Sequence, residues 1–161
     1  METNIKKYYG KNCKKNIWLD MDGTICDLYS DPNWLKRLEN EDITLYTEAK
    51  PLVNINKFSK LIKQLQNKGY KVGIISYLPW ESSNKYKQLV KKAKEDYINT
   101  VFAKIKFDKI HILPHTIPKD TFADIGDCLF DDDKRIRSEW GKGKAYTHED
   151  IINKLKRIYK I

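Results

Sequence analysis

Five short apolar runs punctuate the chain, at Ile17 to Leu19, Val72 to Ile75, Ile110 to Leu113, Cys128 to Phe130 and Lys144 to Tyr146. Longer stretches with helical spacing separate them, and this alternation predicts βαβ units around a parallel sheet. Ile55, Phe58, Leu61, Ile62 and Leu65 recur at the spacing of one helix face, and Gly69 stops that helix before the next strand. Ser82 and Ser83 stand where an N-cap belongs, ahead of a second stripe at Tyr86, Leu89, Val90, Ala93 and Tyr97. Asp133 to Trp140 predicts a short helix, Gly141 and Gly143 a turn, and His148 to Tyr159 a last helix capped by Thr147.

Two segments fall outside this rhythm. Residues 27–52 carry Trp34, Leu35, Leu38, Leu45 and Tyr46 among charges, with Pro32 and Pro51 as breakers, which predicts a small insert of one or two helices after the first strand. An insert there lies over the carboxyl ends of the strands, where open α/β sheets bind ligands, so a substrate wall or lid is expected. Residues 1–14 read as an N-terminal tail. At 161 residues the whole chain, 1–161, is expected to form a single domain.

Composition alters this picture only modestly. The formal charge of +9 favours an anionic partner such as a nucleotide or nucleic acid. Yet 27 of the 31 basic residues are lysine, a bias that an AT-rich coding sequence also produces. Cys13, Cys26 and Cys128 are odd in number and form no Cys-x-x-Cys pair, so neither a disulfide framework nor a zinc ribbon is expected. Met1 to Lys15 is polar and lysine-rich, and no later run is long enough to span a bilayer. A cytoplasmic protein without a membrane partner is therefore expected, while its oligomeric state stays open.

The chemistry is concentrated at two strand tips. Asp20-Met21-Asp22-Gly23-Thr24 follows directly on Ile17-Trp18-Leu19, so two carboxylates one residue apart leave the end of a buried strand. Like charges this close repel, and the pair persists most easily if a cation or a shared proton relieves it. Asp131-Asp132-Asp133 leaves another tip after Cys128-Leu129-Phe130. With oxygen ligands and no nearby His or Cys, the expected cation is Mg²⁺ rather than zinc.

Asp20-x-Asp22-Gly23-Thr24 after a strand resembles the first motif of the haloacid dehalogenase-like phosphohydrolases. Ile74-Ile75-Ser76 is similar to the family's Ser/Thr motif, Lys119 stands in the place of its lysine, and Leu129-Phe130-Asp131-Asp132 matches its acidic pair. The likeness spans residues 17 to about 146 and implies a three-layer, Rossmann-like α/β fold with a central parallel five-stranded sheet and a small insert after strand 1. It implies Asp20 as nucleophile, Asp22 as acid and base, and Ser76, Lys119 and backbone N–H groups of Tyr77 or Leu78 as phosphate binders. It also implies a Mg²⁺ site of Asp20, the Asp22 backbone carbonyl and Asp131 as direct ligands, with Asp132 a ligand through water or a partner of Lys119. Lys104, Lys106 and Lys109 lie close enough in sequence to compete with Lys119.

Ser76-Tyr77-Leu78-Pro79-Trp80 and the run from Asp131 to Trp140 look similar to the 5′(3′)-deoxyribonucleotidase and type C 5′-nucleotidase branch. That resemblance implies a phosphorylated small molecule, a nucleoside monophosphate, as substrate; the chemistry of the chain suits it, since Trp34, Tyr46, Tyr77 and Trp80 are aromatic residues able to form a wall for its base. The insert is short for the cap of such enzymes, which leaves room for a phosphatase acting on nucleic-acid ends or another phosphorylated macromolecule. A non-catalytic domain that binds nucleic acid or protein is the third reading.

Overall fold

A computed structural model describes residues 15–161 of the chain. The tail expected over residues 1–14, with Cys13, lies outside the described residues. Five parallel strands form the central sheet in the order β5-β4-β1-β6-β7, with β1 at Asn16–Leu19, β4 at Lys71–Tyr77, β5 at Lys109–Leu113, β6 at Cys128–Phe130 and β7 at Ala145–Tyr146. All five predicted strands are therefore present. Because successive strand residues face opposite sides, Ile17, Leu19, Val72, Ile74, Cys128 and Phe130 enter one core, and Trp18, Ile75 and Leu129 enter the other.

The first core is closed by α3 (Ile55–Asn67), the C-terminal half of α4 (Asn84–Thr100) and α6 (Ile151–Tyr159). The second is closed by α5 (Lys134–Glu139) and the loop that carries Ala123. Trp18 is completely buried in this second core, opposite Gly73 on β4. A Cβ at Gly73 would come within 2.7 Å of the Trp18 ring, so the strand can pass only where no side chain exists. The indole N–H donates to Asp127 at 3.0 Å, and the same buried carboxylate accepts from Asn16 N–H, Asn16 Nδ2 and Asp124 N–H, each at 2.8 Å.

The insert is a short antiparallel ribbon, β2 (Cys26–Asp27) with β3 (Lys50–Pro51), enclosing α1 (Trp34–Glu39) and α2 (Thr44–Thr47). Leu28, Leu45 and Tyr46 pack on Tyr86, Val90 and Ala93 of α4. Glu41 accepts from the Ser83 N–H at 2.7 Å and from its hydroxyl at 2.8 Å, and Tyr86 Oη donates to the Asp42 carbonyl at 3.0 Å. These ties make the insert a wall fixed to α4.

Three expectations are corrected. The last helix begins at Ile151, not His148, because Asp150 takes a left-handed conformation with φ of 52°. Thr147 does not cap it; its hydroxyl and carbonyl accept from Lys154 Nζ. On α4 the cap is Ser83, whose hydroxyl accepts from the Tyr86 N–H at 3.1 Å, but Leu89 points to solvent, 46% exposed. Lys94 and Ile98 take the buried positions instead, continuing the i, i+4 row from Tyr86 and Val90. Cys26 and Cys128 are buried free thiols, and among the described residues no helix is long and apolar enough to cross a membrane.

Candidate active site

Three strand tips and the loop after β5 meet at one edge of the sheet. The Asp20 N–H donates to the Phe130 carbonyl at 3.0 Å, continuing the ladder one residue past β1, so Asp20 and Asp131 leave adjacent strands side by side. Gly23 turns the chain away with φ of 78°, where a Cβ would stand 2.4 Å from an Asp132 carboxylate oxygen. Thr24 fixes this turn to the acidic loop. Its hydroxyl lies 3.2 Å from both the Asp20 and Asp132 carboxylates and accepts from the Asp132 N–H at 3.1 Å. Asp133 caps α5, its side chain accepting from the Arg135 N–H at 2.8 Å, and the Arg137 guanidinium donates to the carbonyls of Asp131 and Asp132.

Lys119, at the start of a 3-10 turn (Lys119–Phe122), is the lysine the fold brings to this edge. Its ammonium is buried and donates to Asp20 at 2.8 Å and Asp131 at 2.6 Å. Tyr77 lies beneath it, with Lys119 Nζ 5.0 Å from the ring centre and Tyr77 Oη donating to the Ile117 carbonyl at 2.8 Å. Among the alternatives, Lys104 pairs with Asn56 at a distant exposed position, and Lys109 lies over Trp18. Asp132 does not partner Lys119, as one expectation had it; it faces Thr24.

Electrostatics single out the same groups. Burial and the Asp20 charge push the Asp131 carboxyl up to about 7, against the pull of Lys119. Burial and Asp20 likewise raise Asp132 to about 6. Burial raises Asp22, opposed by Lys94 and reinforced by Asp20. Burial disfavours the charged form of Lys119, but Asp20 and Asp131 outweigh it and hold its pKa above the ordinary value. Four carboxylates face two ammonium groups here, so full ionisation leaves two negative charges uncompensated. Asp20, Asp131 and Asp132 each offer an oxygen within 4.8 Å of the others, an all-oxygen set that fits a hard divalent cation such as Mg²⁺. The Asp22 carboxylate stands outside this set and bonds Lys94.

Above these groups opens a cleft of about 450 Å³, with Asp20, Lys119 and Asp131 to Asp133 in its lining. The insert contributes Trp34, and Tyr46 reaches the lining although it is only 6% exposed and belongs to the insert's own core. The opposite rim is Tyr77 to Trp80 with His115. His115 is stacked on Tyr77 at 4.3 Å between ring centres and on Trp80 at 5.7 Å, and Trp80 is 64% exposed. Burial, with Arg135, Lys119 and Lys94, lowers the His115 pKa, so its ring is neutral at pH 7.

Two expected phosphate binders are placed differently. Ser76 is completely buried, its hydroxyl accepting from Lys94 at 2.8 Å, and the Leu78 N–H donates to the Leu113 carbonyl at 2.8 Å. Leu78 therefore has no free donor for an anion nest. Lys94 and His115 escaped sequence reasoning. Lys94 was visible as a lysine four residues after Val90 on a core-facing row, whereas His115 had no sequence signal.

A parallel five-stranded sheet flanked by helices, with the insert after β1 and acidic residues at the β1 and β6 tips, defines the haloacid dehalogenase-like α/β fold. Among solved structures, D,D-heptose 1,7-bisphosphate phosphatase from Burkholderia thailandensis is similar, with a TM-score of 0.58 and 14% identity over 92% of this chain and 100% of that chain. The D,D-heptose 1,7-bisphosphate phosphatase from B. bronchiseptica, solved with magnesium and phosphate, gives 0.57 and 15% over 91% of this chain and 99% of that chain. No protein-family model and no curated protein sequence matches the chain.

Proposed function

We propose that the protein is a Mg²⁺-dependent phosphomonoesterase that acts through an aspartyl-phosphate on Asp20, with a nucleoside monophosphate as its substrate. The observation that carries this reading is the Asp20 carboxylate, fixed through one oxygen by Lys119 and facing the other toward Thr24, with Asp131 and Asp132 oxygens within 4.8 Å. The magnesium and phosphate held by one similar structure support it. Asp20, Asp131, Asp132 and the Asp22 backbone carbonyl would hold the cation, which when bound neutralises phosphoryl oxygens as a Lewis acid.

Asp20 attacks phosphorus in line with the ester oxygen, and Lys119 offsets the charge that would otherwise repel the phosphate from a carboxylate. As the P–O ester bond breaks, its electron pair passes to the leaving oxygen, which takes a proton from Asp22. Asp22 then removes a proton from water, which attacks phosphorus and returns the electron pair of the Asp20–phosphorus bond to Asp20.

The nucleotide is favoured by the rim. A cleft of about 450 Å³ suits a mononucleotide, and the exposed Trp80 face, backed by His115 and Tyr77, offers a stacking surface for its base. The openness of this rim, with a chain charge of +9, supports a second reading, a phosphatase of nucleic-acid ends. A panel of mononucleotides, 3′- and 5′-phosphorylated oligonucleotides and a sugar bisphosphate, assayed with Mg²⁺, separates these. We expect turnover of mononucleotides, its abolition by EDTA, and losses above ~1000-fold in Asp20→Asn and Asp22→Asn. Full activity in Asp20→Asn would exclude the covalent route, and no turnover of any ester would favour a binding domain without catalysis.

A further inference from the structure

Lys94 is the one lysine on the core-facing row of α4, and its side chain is 2% exposed. An ammonium withdrawn from water to this degree costs several kcal/mol unless its donors are matched. They are matched here by three different parts of the site. Lys94 Nζ donates to Asp22 Oδ2 at 2.6 Å, to the Tyr77 carbonyl at 2.6 Å and to the Ser76 hydroxyl at 2.8 Å. It also lies 5.5 Å from the centre of the Tyr46 ring, so the insert closes over the fourth side.

We propose that Lys94 is a positioning residue for phosphoryl transfer, holding the Asp22 carboxyl so that its Oδ1 alone is presented to the leaving group. The inference rests on the phosphatase reading above. Oδ2 is engaged by the ammonium, whereas Oδ1 has no hydrogen-bond partner among the described residues and is the oxygen left to exchange a proton with a ligand in the cleft that Asp22 lines. In the acid step the proton passes from Oδ1 to the ester oxygen as the P–O bond breaks and its electron pair passes to that oxygen. Afterwards the Asp22 carboxylate keeps its bond to Lys94. The bonds to Ser76 and the Tyr77 carbonyl anchor the ammonium to the end of β4, tying the loop after β1 to the neighbouring strand through a side chain from α4. Because α4 is also bonded to the insert through Ser83 and Tyr86, the acid is held in one frame with the cleft wall.

The test compares two esters in the full-length Lys94→Met and Lys94→Gln variants with Mg²⁺, together with their melting temperatures. p-Nitrophenyl phosphate releases a stable phenolate that needs no proton, whereas a nucleoside monophosphate releases an alkoxide that does. For a positioning role, kcat on the nucleoside monophosphate falls by more than ~100-fold, and far less on p-nitrophenyl phosphate, the pattern also given by Asp22→Asn. Equal losses on both esters, or no loss on either, overturn the role even if the variants melt lower. The phosphatase reading fails separately: wild-type protein without turnover sinks both, while wild-type turnover with equal losses in the variants sinks the Lys94 role alone.

Discussion

Raising the pH should weaken the metal-free protein, and Mg²⁺ should reverse that loss. Asp131 is 1% exposed and its carboxyl lies at about 7 in the folded chain, against an ordinary 3.8. The folded state thus retains a proton on this group over a range in which the unfolded chain has released it. Stability is fully present below about pH 4 and is lost as pH rises through about 7, since the unfolded state binds fewer protons there. Three units correspond to at most ~4 kcal/mol, or roughly 8–16 °C of melting temperature for a domain of this size. Asp132, raised to about 6 and partly exposed, acts in the same direction. Thermal melts between pH 4 and 8, on wild type and Asp131→Asn, with EDTA or with Mg²⁺, measure it. The wild-type advantage over the variant should shrink with rising pH in EDTA, and Mg²⁺ should raise the wild-type melt far more at pH 8 than at pH 5. A wild-type advantage that is flat or grows with pH, or a Mg²⁺ effect equal at both pH values and retained by Asp131→Asn, would refute the account of an overcharged acidic site.

Two further predictions concern the rim and the frame. Trp80→Ala should raise KM for nucleoside monophosphates about tenfold with little change in kcat, because one base stack is worth ~1–3 kcal/mol and the reacting groups are untouched; unchanged KM would remove Trp80 from the substrate wall. Asp127→Ala should lower stability by about 3 kcal/mol in denaturant titrations, since it strips the acceptor from Trp18, Asn16 and the Asp124 N–H in a fully buried position. A loss under 1 kcal/mol would show that water replaces it.

The central sheet was legible because its strands are short runs bounded by helix-period stretches, and in β1, β4 and β6 burial on both faces demands an apolar run. The Asp20 and Asp22 pair and the Asp131 to Asp133 run were legible for a related reason. Charges set directly against apolar strands have no packing role, so they mark a strand tip. Local signals also narrowed the α4 cap to Ser82 or Ser83 and gave Asp133 as the start of a helix, and the bonds that make Ser83 and Asp133 caps both span at most three residues. They failed at Thr147, where the left-handed Asp150 shortened the last helix, a choice that no residue type in that turn announces.

What only the tertiary structure decided is pairing across distance. Lys119 was one lysine among several in a basic chain until the loop after β5 set it 2.8 Å from Asp20, 99 residues away. Lys94 escaped the sequence reading altogether, and sits 72 residues from the carboxylate it binds. His115 acquired meaning only between Tyr77 and Trp80. Periodicity and charge report what a residue must do within its own element, burial or exposure. Which acid meets which base depends on how strands β1, β4 and β6 are ordered side by side, and that order is set by packing of the two cores over the sheet.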